Sequence, residues 1–236
     1  MEGAMKPQST AFLEWLTRWE SELPAVPLES VVREPPRTAI LSVDLIKGFC
    51  TIGPLASPRV AGIVPNVVRL FQRAYDLGVR HFLLTQDAHD PDSVEFGAFP
   101  AHCVVGTAES ETVDELRALP FSDLFVVIPK KSISSSIGTE LVPWLDSHPA
   151  VNTFIIVGDC TDLCIYQAAM FLRLRANVLG LRDFRVVVPA DGVQTYDMPV
   201  ETALQLGALP HDGDLLHRIF LYSMALNGIE VVASLT

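Results

Sequence analysis

The sequence NTFIIVGDCTDLCIYQAA, at residues 152–169, shows the structural pattern of this chain most clearly. An apolar, β-branched run at 154–157 leads into Gly158 and Asp159, and a helix-like run follows with Cys164 in its first turn. This order is typical of a buried parallel strand that passes directly into a helix. A thiol at that position would gain from the helix dipole and from free backbone N–H groups, which favour the thiolate. The alternative is that Cys164 is an ordinary buried thiol.

Strand-like and helix-like runs alternate along the chain on both sides of this segment. Strands are predicted at 38–43, 80–85, 124–128, 153–157, 185–188 and 229–233, and helices at about 9–22, 60–77, 111–118, 139–146, 161–176, 199–208 and 213–227. The alternation predicts an α/β fold, a single-domain, doubly wound, mostly parallel six-stranded sheet with helices on both faces. Residues 1–37, a helix and a Pro-rich connection, are expected to form an N-terminal arm, and residues 38–236 the domain.

The composition limits the class of protein. The 236 residues are 49% hydrophobic, enough for one sizeable core, and the formal net charge is −11. This acidic balance argues against nucleic acid and anionic membranes as partners. No apolar run reaches the roughly 18 residues of a membrane span, and the first residues lack the apolar segment of a signal peptide, so a cytoplasmic location is expected. Four cysteines in a chain of this length do not indicate a disulfide framework.

Charged side chains stand directly after several of the predicted strands. Asp44, Asp87 and Lys130 each follow a strand, and the turn at 158–164 follows another. In doubly wound sheets, ligands bind beyond the carboxyl ends of the strands. We therefore expect a thiol, a cation and two carboxylates to meet at one edge of the sheet.

Asp44, Lys130 and Cys164 form the first candidate site, a nucleophilic one. A carboxylate within reach would take the thiol proton, and an ammonium would hold the thiolate. Backbone N–H groups around Cys160 and Cys164, at the start of the helix, would stabilise an oxyanion. This set predicts acyl transfer from an amide or ester through a thioester. The alternatives are that Asp44 caps a loop or pairs with Lys47, and that Lys130 is a solvated surface charge.

Asp87, His89 and His102 form the second candidate site. The pattern D-x-H directly after a strand, with a further histidine in the same loop, is that of a divalent metal site. Two imidazoles and a carboxylate suit zinc, iron or manganese; the alternative is that these are ordinary loop residues. Phe49 and Phe99 are expected to wall a pocket for a flat ring, with loop packing as the alternative. The other four histidines are interpreted as structural.

These segments resemble those of the isochorismatase-like cysteine hydrolases, and within them the nicotinamidases. VGDCTDLCIYQAA resembles the nucleophile turn G-x-x-T-D-x-C-V, and LSVDLIKGFC resembles the first strand with its aspartate. VIPKKSISSSIGTEL resembles the segment K-x-x-Y-S-x-F-x-x-T-x-L, in which Lys130 rather than Lys131 takes the lysine position. LLTQDAHDPDSVEF and FPAHCVVGT are similar to the nicotinamidase segments D-W-H and W-P-x-H-C-x-x-G-T. The resemblance covers residues 38–233.

The resemblance implies an isochorismatase-like fold and a role for each candidate residue. It implies that Cys164 is the nucleophile, that Asp44 and Lys130 are its catalytic partners, and that the N–H groups of Cys160 and Cys164 form the oxyanion site. It also implies a cis peptide bond beside Cys160, which would turn these N–H groups toward the oxyanion. The metal ligands that it implies are Asp87, His89 and His102. The family further implies a homo-oligomer.

The implied reaction is the hydrolysis of nicotinamide, a small-molecule amide, to nicotinate and ammonia. A divalent metal, zinc before iron or manganese, would position the pyridine ring. Near the predicted pocket, however, this chain departs from the nicotinamidase pattern at Lys47, Gly48, Ala88, Phe99, Ile133 and Ser136. Two alternatives therefore remain open. One is a metal-independent cysteine amidohydrolase that acts on a carbamoyl or acyclic amide, and the other is an inactive binding or scaffold protein.

Overall fold

A central parallel sheet organises the protein, whose computed structural model describes residues 6–236. The strands are β1 (Ala25–Val26), β2 (Thr38–Val43), β3 (His81–Asp87), β4 (Phe125–Lys130), β5 (Thr153–Asp159), β6 (Arg185–Pro189), β7 (Val193–Gln194), β8 (Glu230–Val232) and β9 (Ser234–Leu235). The helices are α1 (Pro7–Ser21), α2 (Leu28–Val31), α3 (Lys47–Cys50), α4 (Pro58–Ala61), α5 (Val64–Asp76), α6 (Asp114–Arg117), α7 (Leu141–Ser147), α8 (Cys164–Leu179), α9 (Val200–Leu206) and α10 (Gly213–Leu226).

The main sheet has the strand order β4-β3-β2-β5-β6-β8, and β7 pairs with β5 beside this path. All of these pairings are parallel. The predicted doubly wound α/β fold is confirmed, but the sheet has seven strands where the sequence predicts six. The additional strand, β7, and the separate two-stranded sheet of β1 and β9 are each made of two-residue strands. Runs this short carry no readable alternation of apolar and polar residues.

Several strands, β3 and β4 among them, run further than the apolar pattern indicates. β3 continues to Asp87 and β4 continues to Lys130, so that these two residues are paired in the ladder. Prediction from apolar periodicity ends a strand at its first polar residue, but here the polar ends are buried and bonded to each other. The predicted helix at 60–77 is divided into α4 and α5. Pro65 lies in the first turn of α5, where a missing N–H breaks no helical bond.

Apolar side chains cover both faces of the sheet. One core packs α5 against the sheet, with Val67 and Phe71 completely buried. The other packs α8 and α10 against the opposite face, with Leu172 and Leu221 completely buried. Because successive side chains of a strand point to opposite faces, neighbouring residues of β2 enter different cores: Ile40 enters the first and Leu41 the second. Within residues 6–236, none of the helices has the length and apolar composition needed to cross a bilayer.

The N-terminal segment lies against the C-terminal part of the chain. Rings of α1 surround Tyr222 on α10, and Arg218 Nε lies 2.6 Å from Glu20 Oε2. β1 pairs with β9, which is next to the end of the chain. The division into an arm at 1–37 and a domain at 38–236 stays a prediction, and its first five residues lie outside the described part.

Candidate active site

The carboxyl ends of three neighbouring strands bring the predicted charged residues together. Asp44 follows β2 directly, while Asp87 and Lys130 are the last residues of β3 and β4. The backbone N–H of Asp87 donates to Asp44 Oδ1 at 2.8 Å, which fixes the Asp44 carboxylate across the strand ends. Cys164, the first residue of α8, completes the group. All four side chains are buried.

Lys130 lies at the centre of this group. Its Nζ is 2.5 Å from Asp87 Oδ1, 2.7 Å from Asp44 Oδ2 and 3.6 Å from Cys164 Sγ. The carbonyl oxygen of Ser132 accepts a further bond from Nζ at 3.1 Å. Burial disfavours the ammonium, but Asp44, Cys164 and Asp87 outweigh it and raise the pKa of Lys130 well above its ordinary value. Lys130 is therefore a fixed positive charge between two carboxylates and a thiol.

The two carboxylates around Lys130 have different proton affinities. Burial and the neighbouring Asp87 charge raise the pKa of Asp44 to about 6, although Lys130 opposes them. For Asp87, burial is outweighed by Lys130, His102 and His89, which together hold its pKa well below the ordinary value. The Lys130 contact with Asp44 Oδ2 has an ion-pair distance but not hydrogen-bond angles, so Oδ2 has no hydrogen-bond partner among the described residues. Asp44 Oδ2 is thus ion-paired with Lys130, and the carboxylate has a proton affinity suited to proton transfer.

The thiol of Cys164 keeps its proton in this environment. Burial raises its pKa well above the ordinary value, and the attraction of Lys130 does not outweigh burial and the repulsion by Asp44. Burial of the first turn of α8 therefore opposes the thiolate that the helix start was expected to favour. A base is needed to remove the proton.

The turn at 158–164, which we call the nucleophile turn, begins at a very close approach between strands. Gly158 has φ +119°, and a Cβ atom there would lie 1.9 Å from the carbonyl oxygen of Val43. The peptide bond between Asp159 and Cys160 is cis, as the family resemblance implies. Among the described residues, the backbone N–H groups of Cys160 and Cys164 have no acceptor. Both donors are free to bind a ligand oxygen.

Asp87, His89 and His102 lie together beside this group. Their nearest ligand atoms are all within 4.8 Å of one another, and the three residues are buried. His89 and Val104 form a backbone bridge, with bonds of 3.0 Å from His89 N to Cys103 O and 2.9 Å from Val105 N to His89 O. This bridge folds the loop back and places His102 next to His89.

The donor set fits a divalent metal. His89 Nε2 is buried without a hydrogen-bond partner in the described structure, and it lies 3.5 Å from Asp87 Oδ2. His102 Nε2 is 3.8 Å from the same oxygen, while His102 Nδ1 is 2.8 Å from the carbonyl oxygen of Pro100. A carbonyl accepts only, so Nδ1 carries the proton and Nε2 presents its lone pair. Two imidazole nitrogens and a carboxylate oxygen face one point, and the site would accept zinc, iron or manganese.

Aromatic rings surround these histidines. Phe49 is buried, with its ring centre 5.7 Å from that of His102. Phe99 is half-buried, with its centre 6.1 Å from His102, and Phe96 lies 5.5 Å from His89. The structure therefore places the predicted pocket residues against the candidate metal ligands.

Several other residues are placed differently from the alternatives left open by the sequence. Lys47 pairs with Glu111 at 3.0 Å rather than with Asp44, and Lys131 is exposed.

Asp159 was not singled out by sequence reasoning, yet its carboxyl is buried and its Oδ1 has no hydrogen-bond partner in the described part of the chain. Burial and the charge of Asp44 raise its pKa well above the ordinary value. Its position after a strand was the signal that marked it.

Known proteins share this sequence pattern and this architecture. The family model described as Isochorismatase domain matches residues 38–209. The chain is 29% identical over 216 residues to Nicotinamidase 1 of Arabidopsis thaliana, an alignment that covers 84% of this chain and 86% of that protein.

Two solved structures have a similar fold. The pyrazinamidase of Pyrococcus horikoshii, solved in complex with zinc, has a TM-score of 0.64 and 24% identity, with 84% of this chain and 99% of that chain covered. The N-carbamoylsarcosine amidase of Thermoplasma acidophilum has a TM-score of 0.62 and 22% identity, with 83% of this chain and 95% of that chain covered.

Proposed function

The chain belongs to the isochorismatase family, and from this membership and the site geometry we propose that it is a cysteine amidohydrolase that converts nicotinamide to nicotinate and ammonia. The observation that carries the proposal is the double role of Asp87. One of its oxygens binds Lys130 beside the thiol, and the other faces His89 and His102. A candidate metal site therefore adjoins a candidate nucleophile, an arrangement that suits a pyridine carboxamide, whose ring nitrogen and carbonyl carbon are both reactive toward such groups.

The first step is attack by Cys164 on the carboxamide carbon. Asp44 accepts the thiol proton at Oδ2, and Lys130, which contacts both groups, holds the thiolate as it forms. The carbonyl oxygen of the substrate gains negative charge, which the free N–H groups of Cys160 and Cys164 stabilise. The products of this step are a tetrahedral oxyanion bonded to sulfur and a protonated Asp44.

The tetrahedral oxyanion then loses ammonia. Asp44 returns its proton to the amide nitrogen, the C–N bond breaks, and a thioester remains on Cys164. Water then attacks the thioester with Asp44 as its base, the C–S bond breaks, and Asp44 returns the proton to the sulfur. The overall balance is one amide and one water consumed, and one carboxylate and one ammonium released.

The second group of residues supplies orientation rather than a nucleophile. Asp87, His89 and His102 would hold the metal, and a bound divalent ion would coordinate the pyridine nitrogen and fix the ring. The Arabidopsis nicotinamidase and the zinc complex of the Pyrococcus pyrazinamidase support this choice of substrate and metal. Phe49 and Phe99 would enclose the ring.

A second candidate function is hydrolysis of a carbamoyl or acyclic amide. Ile133 and Ser136, in the loop after Lys130, stand where the resemblance implies Tyr and Phe. The N-carbamoylsarcosine amidase shares the fold, so the same thiol chemistry on a different pocket is consistent with the architecture.

The experiment is ammonia release from nicotinamide by the purified protein, compared before and after a strong chelator and after metal is added back. We expect release that the chelator abolishes and metal restores, with Cys164→Ala as the inactive control. No release by the metal-loaded protein would reject nicotinamide hydrolysis. Release from N-carbamoylsarcosine that is insensitive to the chelator would favour the second candidate. A Cys164 that is inert to iodoacetamide at neutral pH, in a protein that releases ammonia from neither amide, would support an inactive binding or scaffold protein.

A further inference from the structure

One buried carboxylate in the nucleophile turn takes no part in the proposed chemistry. Asp162 lies two residues before Cys164, and both of its carboxylate oxygens have partners. The Thr195 hydroxyl donates to Oδ1 at 2.6 Å, and His211 Nε2 lies 2.8 Å from Oδ2. Burial disfavours ionisation, but the bonds from His211 and Thr195 outweigh it and lower the pKa of Asp162. Asp162 is therefore ionised.

The hydrogen bonds of His211 specify its charge. Its Nε2 faces the Asp162 carboxylate, and its Nδ1 lies 3.0 Å from the carbonyl oxygen of Tyr196. Both partners are acceptors, while a neutral imidazole has only one N–H to donate. The two contacts are both hydrogen bonds only if the ring is an imidazolium. The Tyr196 ring stacks on it with 3.8 Å between centres, an arrangement that favours a cation.

The pair connects the nucleophile turn to a separate segment. His211 and Met198 exchange backbone bonds of 2.8 and 2.7 Å, which close the segment 199–210 that carries α9. Next to Asp162, the Thr161 hydroxyl is 2.8 Å from His217 Nδ1 on α10. Burial lowers the pKa of His217, so this second tie is uncharged.

The nearest arginine does not neutralise Asp162. Arg59 donates to the carbonyl oxygen of Thr195 and to Gln194 Oε1, each at 3.1 Å, and its charge is paired with Asp214 at 2.6 Å. His211 is therefore the cation that balances the Asp162 carboxylate.

We propose that Asp162 and His211 are positioning residues, an imidazolium–carboxylate pair that fixes the nucleophile turn so that Cys164 stays within reach of Lys130. The inference rests on the proposed function, because it assigns the pair to a nucleophilic Cys164. Neither residue contacts the reacting atoms. Because the pair is neutral overall, it fixes the turn without placing a net charge beside the thiol.

The substitution Asp162→Asn separates the charge of the pair from its hydrogen bonds. The amide oxygen replaces Oδ1 as the acceptor from Thr195, and the amide N–H donates to His211 Nε2. His211 then keeps its bond to Tyr196 as a neutral ring. His211→Ala removes the pair, and His211→Phe, which keeps a ring against Tyr196 but has no N–H to donate, is the second variant if His211→Ala does not fold. His148→Ala, on the far side of the domain core, is the matched histidine control.

The charge is tested by nitrogen NMR of the histidine side chains at pH 7. The His211 signal is identified by its loss in His211→Ala. We expect two protonated ring nitrogens in the unaltered protein and one in Asp162→Asn. A single protonated nitrogen in the unaltered protein would overturn the charged pair.

The positioning role is tested by the rate at which iodoacetamide alkylates Cys164, followed by mass spectrometry. We expect His211→Ala to slow alkylation and to lower kcat by about tenfold or more, with little change in KM, since a displaced reacting group loses rate rather than binding. Asp162→Asn and His148→Ala should change alkylation little. An unaltered rate in His211→Ala or, if that variant does not fold, in His211→Phe would reject the positioning role. If alkylation slows as expected but the unaltered protein releases no ammonia, only the proposed substrate fails.

Discussion

At the scale of single residues, the site separates two carboxylates by their environment. Asp44 and Asp87 both contact the Lys130 ammonium, at 2.7 and 2.5 Å. Asp87 has two histidines as further partners, which stabilise its charged form, whereas burial and the charge of Asp87 disfavour the charged form of Asp44. Neighbouring carboxylates whose proton affinities are pushed apart usually have different tasks. Asp87 is suited to hold charge permanently, and Asp44 to exchange a proton.

This difference predicts the pH dependence of thiol reactivity. In the chelator-treated protein, Asp44 has a pKa raised to about 6, so it loses its proton above that pH and becomes able to accept the thiol proton. Above about pH 6, nearly all Asp44 side chains are deprotonated and can accept the proton of Cys164. The alkylation rate should therefore rise up to about pH 6 and then level off. The measurement is the rate of iodoacetamide alkylation from pH 4.5 to pH 9.

Asp44→Asn is the control for this prediction. Without the carboxylate, alkylation should continue to rise with pH beyond 6, as for a thiol that titrates alone. A divalent ion beside Asp87 would offset the Asp87 charge, so metal should move the plateau of the unaltered protein to lower pH. A rate that rises continuously through pH 6 to 8 in the unaltered, metal-free protein would contradict the role of Asp44.

At the scale of elements, the loop after β3 brings its two histidines together through its backbone rather than through packing alone. We expect His89→Ala to lose bound metal and to raise KM for nicotinamide, while kcat changes little, because the ligand orients the ring. Adding zinc should raise the melting temperature of the unaltered protein but not that of the variant. At a free zinc concentration of 100 times Kd, the stabilisation would be about 2.7 kcal/mol.

Metal content by mass spectrometry provides a readout of this site that does not depend on turnover. His81→Ala is the control, because His81 is outside the loop and packs against Trp144 and His148. Equal metal content and equal KM in His89→Ala and the unaltered protein would show that the metal assignment is wrong.

The junction of β5 with the nucleophile turn depends on one glycine. A side chain at Gly158 would meet the Val43 backbone at 1.9 Å, and the backbone there has φ +119°. We expect Gly158→Ala to lower the free energy of unfolding by at least about 3 kcal/mol, since overpacking and backbone strain add. Gly180, which also has positive φ but faces open space, is the control, and Gly180→Ala should cost only about 1 kcal/mol. Urea unfolding measures both, and equal losses would contradict the close-approach explanation.

The sequence made some of these elements predictable and not others. β2 was predicted residue for residue, because its six residues are apolar or small and are bounded by polar ones. The grouping of charged residues at the strand ends was predictable, because functional residues of doubly wound sheets lie beyond the carboxyl ends of the strands. The two buried side-chain contacts of the nucleophile turn were not predictable from the sequence. His211 and His217 lie about 50 residues away in sequence from their partners, Asp162 and Thr161. Neither histidine stands in a local pattern, so only the folded chain reveals what it contacts.

At the scale of the whole molecule, the sequence also predicts an arm at 1–37, and several side chains in its described part, residues 6–37, are buried. Leu16 and Leu28 are completely buried, and Val31 is 2% exposed. The boundary was predicted from the prolines at 24–36. The residues between these prolines stay in contact with the domain, since Val26 pairs with Leu235. Contacts formed between the two ends of a chain have no periodic signature, which is why the pairing of β1 with β9 was not predictable.

These contacts predict that the arm stabilises the domain. A protein that begins at Thr38 loses four buried apolar side chains, those of Leu16, Leu28, Val31 and Val32, each worth about 1.5–3 kcal/mol, and exposes the surfaces that they cover. Its melting temperature should fall by about 10 °C or more, since 1 kcal/mol shifts a domain of this size by about 2–4 °C. A protein that begins at Pro24 keeps β1 and Leu28 and loses only α1, so its decrease should be smaller. If the protein that begins at Thr38 melts at the same temperature as the full chain, the arm is a separable appendage. Its buried residues would then contribute nothing to the core that supports the nucleophile turn.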